Sequence, residues 1–151
     1  MGIIYIENRR YASRCAQHNP RDFKDIVDIK LTPENIRENG SLIPQVTFAL
    51  ANKPDLLLLV HIALADNGKY YFGYSIYIDD EYDSCGPHPD LGISKGNDTI
   101  YGCVSDAINH CKSYAKYYGT EPDPRIVAAC KQASRDLNKF RLHQMTIFEF
   151  L

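Results

Sequence analysis

The feature that most constrains the fold is a ten-residue apolar run, Leu56-Leu57-Leu58-Leu59-Val60-His61-Ile62-Ala63-Leu64-Ala65. Lys53-Pro54-Asp55 precedes it, Asp66-Asn67-Gly68 ends it, and the β-rich residues 69–78 follow. Asn-Gly between two strand-forming runs is the strongest short-range hairpin signal, so 56–65 and 69–78 are expected to pair as a β-hairpin. A membrane span needs about 18–20 apolar residues, roughly twice this run, and His61 interrupts the stretch; it reads as a buried strand.

The neighbouring segments build on that hairpin. Residues 43–50 alternate, with Val46, Phe48 and Leu50 on one face, and residues 3–7 read as a short edge strand. Val104, Ala107, Ile108, Cys111, Tyr114, Ala115 and Tyr118 recur at helical spacing and predict a helix over 102–118, with Gly119 as its C-cap. Asp123 as N-cap, Pro124 at the first position and the stripe Ile126, Val127, Cys130, Ala133 and Leu137 predict a second helix over 124–140. Shorter helices are expected at 9–17, around Phe23, Ile26 and Val27, and from Thr32-Pro33-Glu34 to Gly40. Residues 79–99 form the longest irregular stretch, with a short strand expected at 91–94. These elements predict an α+β fold: a small two-layer domain over 1–140, its antiparallel sheet packed on one side by the two helices. Residues 141–151 form a C-terminal tail, to serve as a short linear motif or a final strand.

The 151 residues suit one domain, and 17 Lys plus Arg against 19 Asp plus Glu give a net charge of −2. Nucleic-acid binding through bulk charge is not favoured by that balance. The N-terminus has no basic stretch followed by an apolar core, and the five cysteines (15, 85, 103, 111, 130) contain no Cys-x-x-Cys. A cytoplasmic, reducing setting is the expectation, with the thiols acting as small core hydrophobes.

No phosphate-binding loop, His-Glu-x-x-His, Gly-x-Ser-x-Gly elbow or dinucleotide fingerprint is present, which weighs against an enzyme. Two local clusters carry weaker chemistry. Asp79, Asp80, Glu81 and Asp83, with Asp90, offer oxygen ligands but fit no EF-hand spacing; with Tyr82 they equally suit contact with a basic protein surface. Cys85 and His88 make half of a zinc site whose other half would be His110-Cys111, and Cys85 or Cys111 with His61 or His88 would make a nucleophile pair. His61, inside the Leu-rich run, reads as a satisfied core histidine. No metal or cofactor is assigned. Tyr70, Tyr71, Phe72, Tyr74, Tyr77 and Tyr82 gather amphipathic rings on the hairpin and just beyond it.

The tail carries the sharpest signal. Gln144-Met145-Thr146-Ile147-Phe148 resembles the bacterial sliding-clamp-binding motif Gln-Leu-Ser/Asp-Leu-Phe, with Met at the second position and Ile at the fourth. The resemblance implies that Gln144 is the polar anchor, that Ile147 and Phe148 fill one apolar pocket, and that Met145 adapts between them. The same stretch approximates the eukaryotic and archaeal ring-clamp box through Gln144, Ile147 and Phe150, although Leu151 stands where an aromatic belongs.

A wider order of elements accompanies the motif. Phe72-Gly73-Tyr74-Ser75, a polar loop, the Ala107-Ile108 helix, a Pro-rich break and the Asp123-Pro124-Arg125-Ile126-Val127 helix start precede it. Over about residues 69–150 this order is similar to the C-terminal regions of phage and mobile-element proteins, including ParB-like and DNA-methyltransferase-associated ones. The expected function is a non-enzymatic accessory or adaptor protein of a bacterial phage or mobile element. Its partner would be the replication sliding clamp, without direct nucleic-acid or membrane binding. The alternatives are an inhibitor or regulator that offers 79–90 to a protein partner, and a metal-binding or Cys/His enzyme.

Overall fold

The computed structural model describes the backbone of residues 4–7, 21–22, 30–79, 81–89, 92–117 and 123–149, and side chains within 30–79, 81–89, 92–113 and 123–139. The strands are β1 (Ile4–Glu7), β2 (Arg21–Asp22), β3 (Val46–Lys53), β4 (Leu56–Leu64), β5 (Tyr70–Ile78) and β6 (Glu81–Cys85); the helices are α1 (Ile100–Tyr117) and α2 (Pro124–Glu149). All neighbouring strands pair antiparallel in the order β2-β1-β3-β4-β5-β6. This is the small α+β domain expected, with the 56–65/69–78 hairpin at its centre.

The hairpin register runs from Leu56 opposite Ile78 to Leu64 opposite Tyr70. Its turn closes with Gly68 N–H donating to Ala65 O at 3.0 Å, Gly68 at φ 81° and Lys69 N–H donating to Asn67 Oδ1 at 2.9 Å. Gly68 is needed there because its positive φ strains any residue with a Cβ.

Strand β4 is buried over its whole length, and its two faces meet different surroundings. Leu56, Leu58, Val60 and Ile62 join Val46, Phe48, Phe72 and Ile76 beneath the helix stripes Val104, Ala107, Ile108, Cys111 and Ile126, Cys130, Ala133, Leu137. Cysteines 103, 111 and 130 lie buried in this layer as free thiols. On the other face Leu57 and Leu59 pack with Ala49 and Tyr77, and Ala63 packs with Leu42, Ala65 and Tyr71.

Gly73, directly opposite His61, marks where the chain after β6 crosses this second face. A Cβ at Gly73 would lie 2.3 Å from Cys85 O and 2.8 Å from Pro87 N. Pro87 O then accepts from Leu42 N–H at 2.9 Å, tying the crossing to the 31–45 segment.

Several sequence expectations change. The helix expected after Thr32-Pro33-Glu34 is extended chain: Glu34 N–H donates to Leu64 O at 3.0 Å and Asp66 N–H to Glu34 O at 2.7 Å. The Gln45 amide also brackets the Thr32 backbone, at 2.8 and 2.9 Å. A helix of so few residues would carry the nucleation cost with little return, whereas the extended form gives its backbone strand and side-chain partners. Residues 3–7 do not form the edge, since β2 lies outside β1.

Part of the 79–99 stretch is the strand β6, while residues 92–94 are not strand. Instead Ser94 Oγ accepts from Phe72 N–H at 3.0 Å and Asn97 exchanges two backbone bonds with Tyr70, so this returning loop finishes the margin of β5 that β6 leaves open. Thr99 caps α1 through Gly102 N–H at 3.0 Å, and Asp123 caps α2 through Arg125 N–H at 2.9 Å. α2 continues to Glu149, beyond the expected end at 140, so the backbone of Gln144–Phe148 is helical and not a strand. The helices expected at 9–17 and around Phe23 lie outside the described residues.

Candidate functional site

The acidic group is not a loose loop. Ile78 pairs with Glu81 across a two-residue separation, and Asp79 sits at φ 54°. Aspartate tolerates the left-handed region better than most residues, which suits a tight hairpin. Two tethers fix the tip. Asp79 N–H donates to Asp55 O at 3.2 Å, joining the tip to the β3–β4 turn. The Arg125 guanidinium, from the first turn of α2, grips both Asp79 carboxylate oxygens at 2.9 and 3.1 Å.

Arg125 also reaches Asp123 Oδ2 at 3.0 Å and Asp55 Oδ2 at 3.5 Å. Its hydrogen bonds hold the Asp79 and Asp123 carboxyls below the usual carboxylate range. Asp79 is thereby committed to the protein's own structure. Asp80 and Asp90 lie outside the described residues.

Beyond the tip, Glu81, Tyr82 and Ser84 are exposed, with Asp83 half-buried between Tyr82 and Ser84 and Cys85 half-buried after them. Among the described residues no cation pairs with Glu81 or Asp83. Tyr82 is 58% exposed, yet its ring is not loose: it lies against Tyr77 with centroids 4.5 Å apart, and its hydroxyl donates to Ser84 Oγ at 2.6 Å. Of the aromatic group, Tyr71, Phe72 and Tyr74 are instead buried.

On the helix side of β6, Tyr74 Oη donates to Asp83 Oδ2 at 3.3 Å, and the Tyr74 ring lies 5.0 Å from the His110 imidazole. Burial lowers the His110 pKa, and its buried Nε2 has no hydrogen-bond partner among the described residues. Burial, and then the Asp83 carboxylate, push the Cys85 thiol up. A nucleophilic cysteine needs the opposite, a neighbour that stabilises thiolate. Cys111, completely buried, is pushed up by burial as well. Among the described residues no group of three or more His, Cys, Asp or Glu side chains is placed to hold a metal ion, so Cys85, His88, His110 and Cys111 do not converge as a zinc site.

His61 is spent on the sheet. Its Nδ1 lies 2.9 Å from Thr47 Oγ1 and its Nε2 2.8 Å from Ser75 Oγ, spanning three adjacent strands. Desolvation lowers its pKa to about 4, so the ring is neutral near pH 7, one nitrogen donating and the other accepting. It is the satisfied core histidine that its setting predicts.

The motif residues Gln144, Met145, Ile147 and Phe148 occupy the last turns of α2. Leu137 is the last residue of α2, among those whose side chains are described, that joins the core. Gln144 follows it by about two helical turns, or ~10 Å of axial rise. Sequence reasoning did not find the Arg125 clamp, the Tyr77–Tyr82 pair or the surroundings of His110. Arg125 and Asp79 are 46 positions apart, and no local spacing signals such a meeting.

Among the described residues no helix is long and apolar enough to cross a membrane. Comparison of the chain with protein-family models, with curated proteins and with solved structures finds no match in any of the three.

Proposed function

We propose that this chain is a non-enzymatic accessory or adaptor protein of a bacterial phage or mobile element, and that it engages the replication sliding clamp through Gln144, Met145, Ile147 and Phe148. The observation that carries the reading is the position of Gln144-Met145-Thr146-Ile147-Phe148, at the far end of α2 and past Leu137. A motif placed there can change conformation while the described core residues of α2, from Ile126 to Leu137, stay in place. Clamp-type recognition takes the motif in extended form, so binding requires the last turns of α2 to unwind. Thr146, Ile147 and Phe148 are weaker helix formers than Ala or Leu, which lowers the cost of that step.

The surroundings of the cysteines and of His61 support binding over catalysis. The thiols at 85, 103, 111 and 130 are all pushed toward the neutral form by burial, and His61 is closed between two hydroxyls. A peptide of residues 141–151 is expected to compete with the full chain for a purified bacterial sliding clamp, and the same peptide with Phe148→Ala is not. Equal competition by both peptides would overturn the reading.

The exposed, pre-ordered Tyr82 favours a second reading, in which residues 79–90 contact a basic protein partner and regulate it. Binding of that kind weakens steeply with salt and survives deletion of 141–151.

A further inference from the structure

Among the described residues strand β6 ends the sheet, with β5 as its neighbour on one side. In a two-residue hairpin the flanking pair, here Ile78–Glu81, is hydrogen-bonded, so Glu81, Asp83 and Cys85 direct their backbone groups to β5. Tyr82 and Ser84 therefore turn their N–H and C=O groups outward, and both residues are exposed. The side chains alternate along this margin. Glu81 and Asp83 stand on the helix side, and Tyr82 and Ser84 stand on the other with Tyr77.

We propose that β6 is a docking edge on which an extended basic segment of a protein partner adds as a further strand, with Lys or Arg at every second residue and apolar residues between. The inference rests on the second reading above and names how the partner is held. Charge selects this occupant. Glu81 and Asp83 meet no cation among the described residues, and they lie two apart, the period of a strand. Basic side chains of an added strand fall beside them, while the intervening apolar side chain meets the Tyr82 ring, already held by Tyr77 and Ser84. The Arg125 clamp on Asp79 and the Asp55 bond keep the hairpin in place before the partner arrives. A second copy of this chain is a poor occupant: antiparallel self-pairing centred on Asp83 opposes two carboxylates across the new ladder.

The probe is a labelled peptide of alternating Lys and Val, titrated into the full chain by fluorescence anisotropy. Its comparisons are a peptide with the same residues in two blocks and one N-methylated on the amides that would face β6. The alternating peptide is expected to bind, and N-methylation to weaken it by roughly tenfold, the loss of one or two net hydrogen bonds. Glu81→Gln with Asp83→Asn is expected to weaken binding several-fold and flatten its salt dependence, with the far-ultraviolet circular dichroism unchanged. Phe148→Ala should leave the affinity unaltered, which separates this edge from the clamp motif. Equal binding of the N-methylated or block peptide would overturn strand addition while leaving the second reading intact. No binding by any of the three peptides, or sedimentation of the free chain as a dimer that Asp83→Lys disrupts, would overturn the docking edge itself.

Discussion

Strands β4 and β6 lie two places apart in one sheet and divide its labour. Every residue of β4 is buried, whereas three of the five residues of β6 are exposed. β4 owes its burial to cover on both faces and to hydrogen-bonded neighbours on both sides. β6 has a paired side and an outward side. The polar groups of the two strands differ accordingly. His61 in β4 is neutral and closed between Thr47 and Ser75, while in β6 Glu81 and Tyr82 are exposed and Asp83 is half-buried. Reactive side-chain types in the interior serve packing: Cys103, Cys111 and Cys130 lie in the core, and His61 bridges two neighbouring strands.

Truncation sharpens this contrast most. Leu58→Ala opens a cavity at a fully buried site and is expected to cost about 3–5 kcal/mol in urea denaturation. Tyr82→Ala on β6 should cost about 1 kcal/mol, the ring pair with Tyr77 being its main loss. Equal costs would erase the distinction between the strands.

The next largest effect is a pH dependence from β4. His61 has a folded-state pKa of about 4 against an ordinary 6.5, so between those values the unfolded chain binds more protons than the folded one. The contribution is complete above pH 6.5 and is lost as pH falls toward 4, a decline of about 3 kcal/mol. Denaturant midpoints measured across that window check it, and His61→Gln should remove this slope. An unchanged slope in the variant would place the titration elsewhere.

The smallest effect belongs to the hairpin tip. Arg125→Ala releases Asp79 and is expected to speed amide exchange along 81–85 while leaving β4 protected. Because the pair is exposed, high salt should reproduce part of the change in the unaltered chain.

The centre of this fold was legible because its signals are local. The Leu-rich run, Asn67-Gly68, the helix stripes and the Asp123-Pro124 start each act through neighbours in sequence, and each lies where its pattern places it. β6 was illegible for the converse reason: a strand with one open side has no need of alternating apolar residues, and Glu81-Tyr82-Asp83-Ser84 reads as loop. Glu34 failed differently. Its local helix signals were overruled by backbone partners supplied from β4, some 30 residues on. Of the proposed recognition residues, the acidic group was legible as a cluster, but the division between Asp79, bound by Arg125, and Glu81 and Asp83, which meet no cation among the described residues, depends on tertiary placement. The terminal motif was legible as residues, whereas its helical backbone continues a pattern set by the preceding turns of α2.

We propose that this chain acts by binding through its margins, foremost the end of α2. Calorimetric titration of the full chain against a purified bacterial sliding clamp tests it most directly. Saturable binding is expected, falling by roughly thirtyfold in Phe148→Ala, the loss of about 2 kcal/mol typical of an interface anchor. Undiminished affinity in that variant, or no heat of binding from the unaltered chain, would contradict it.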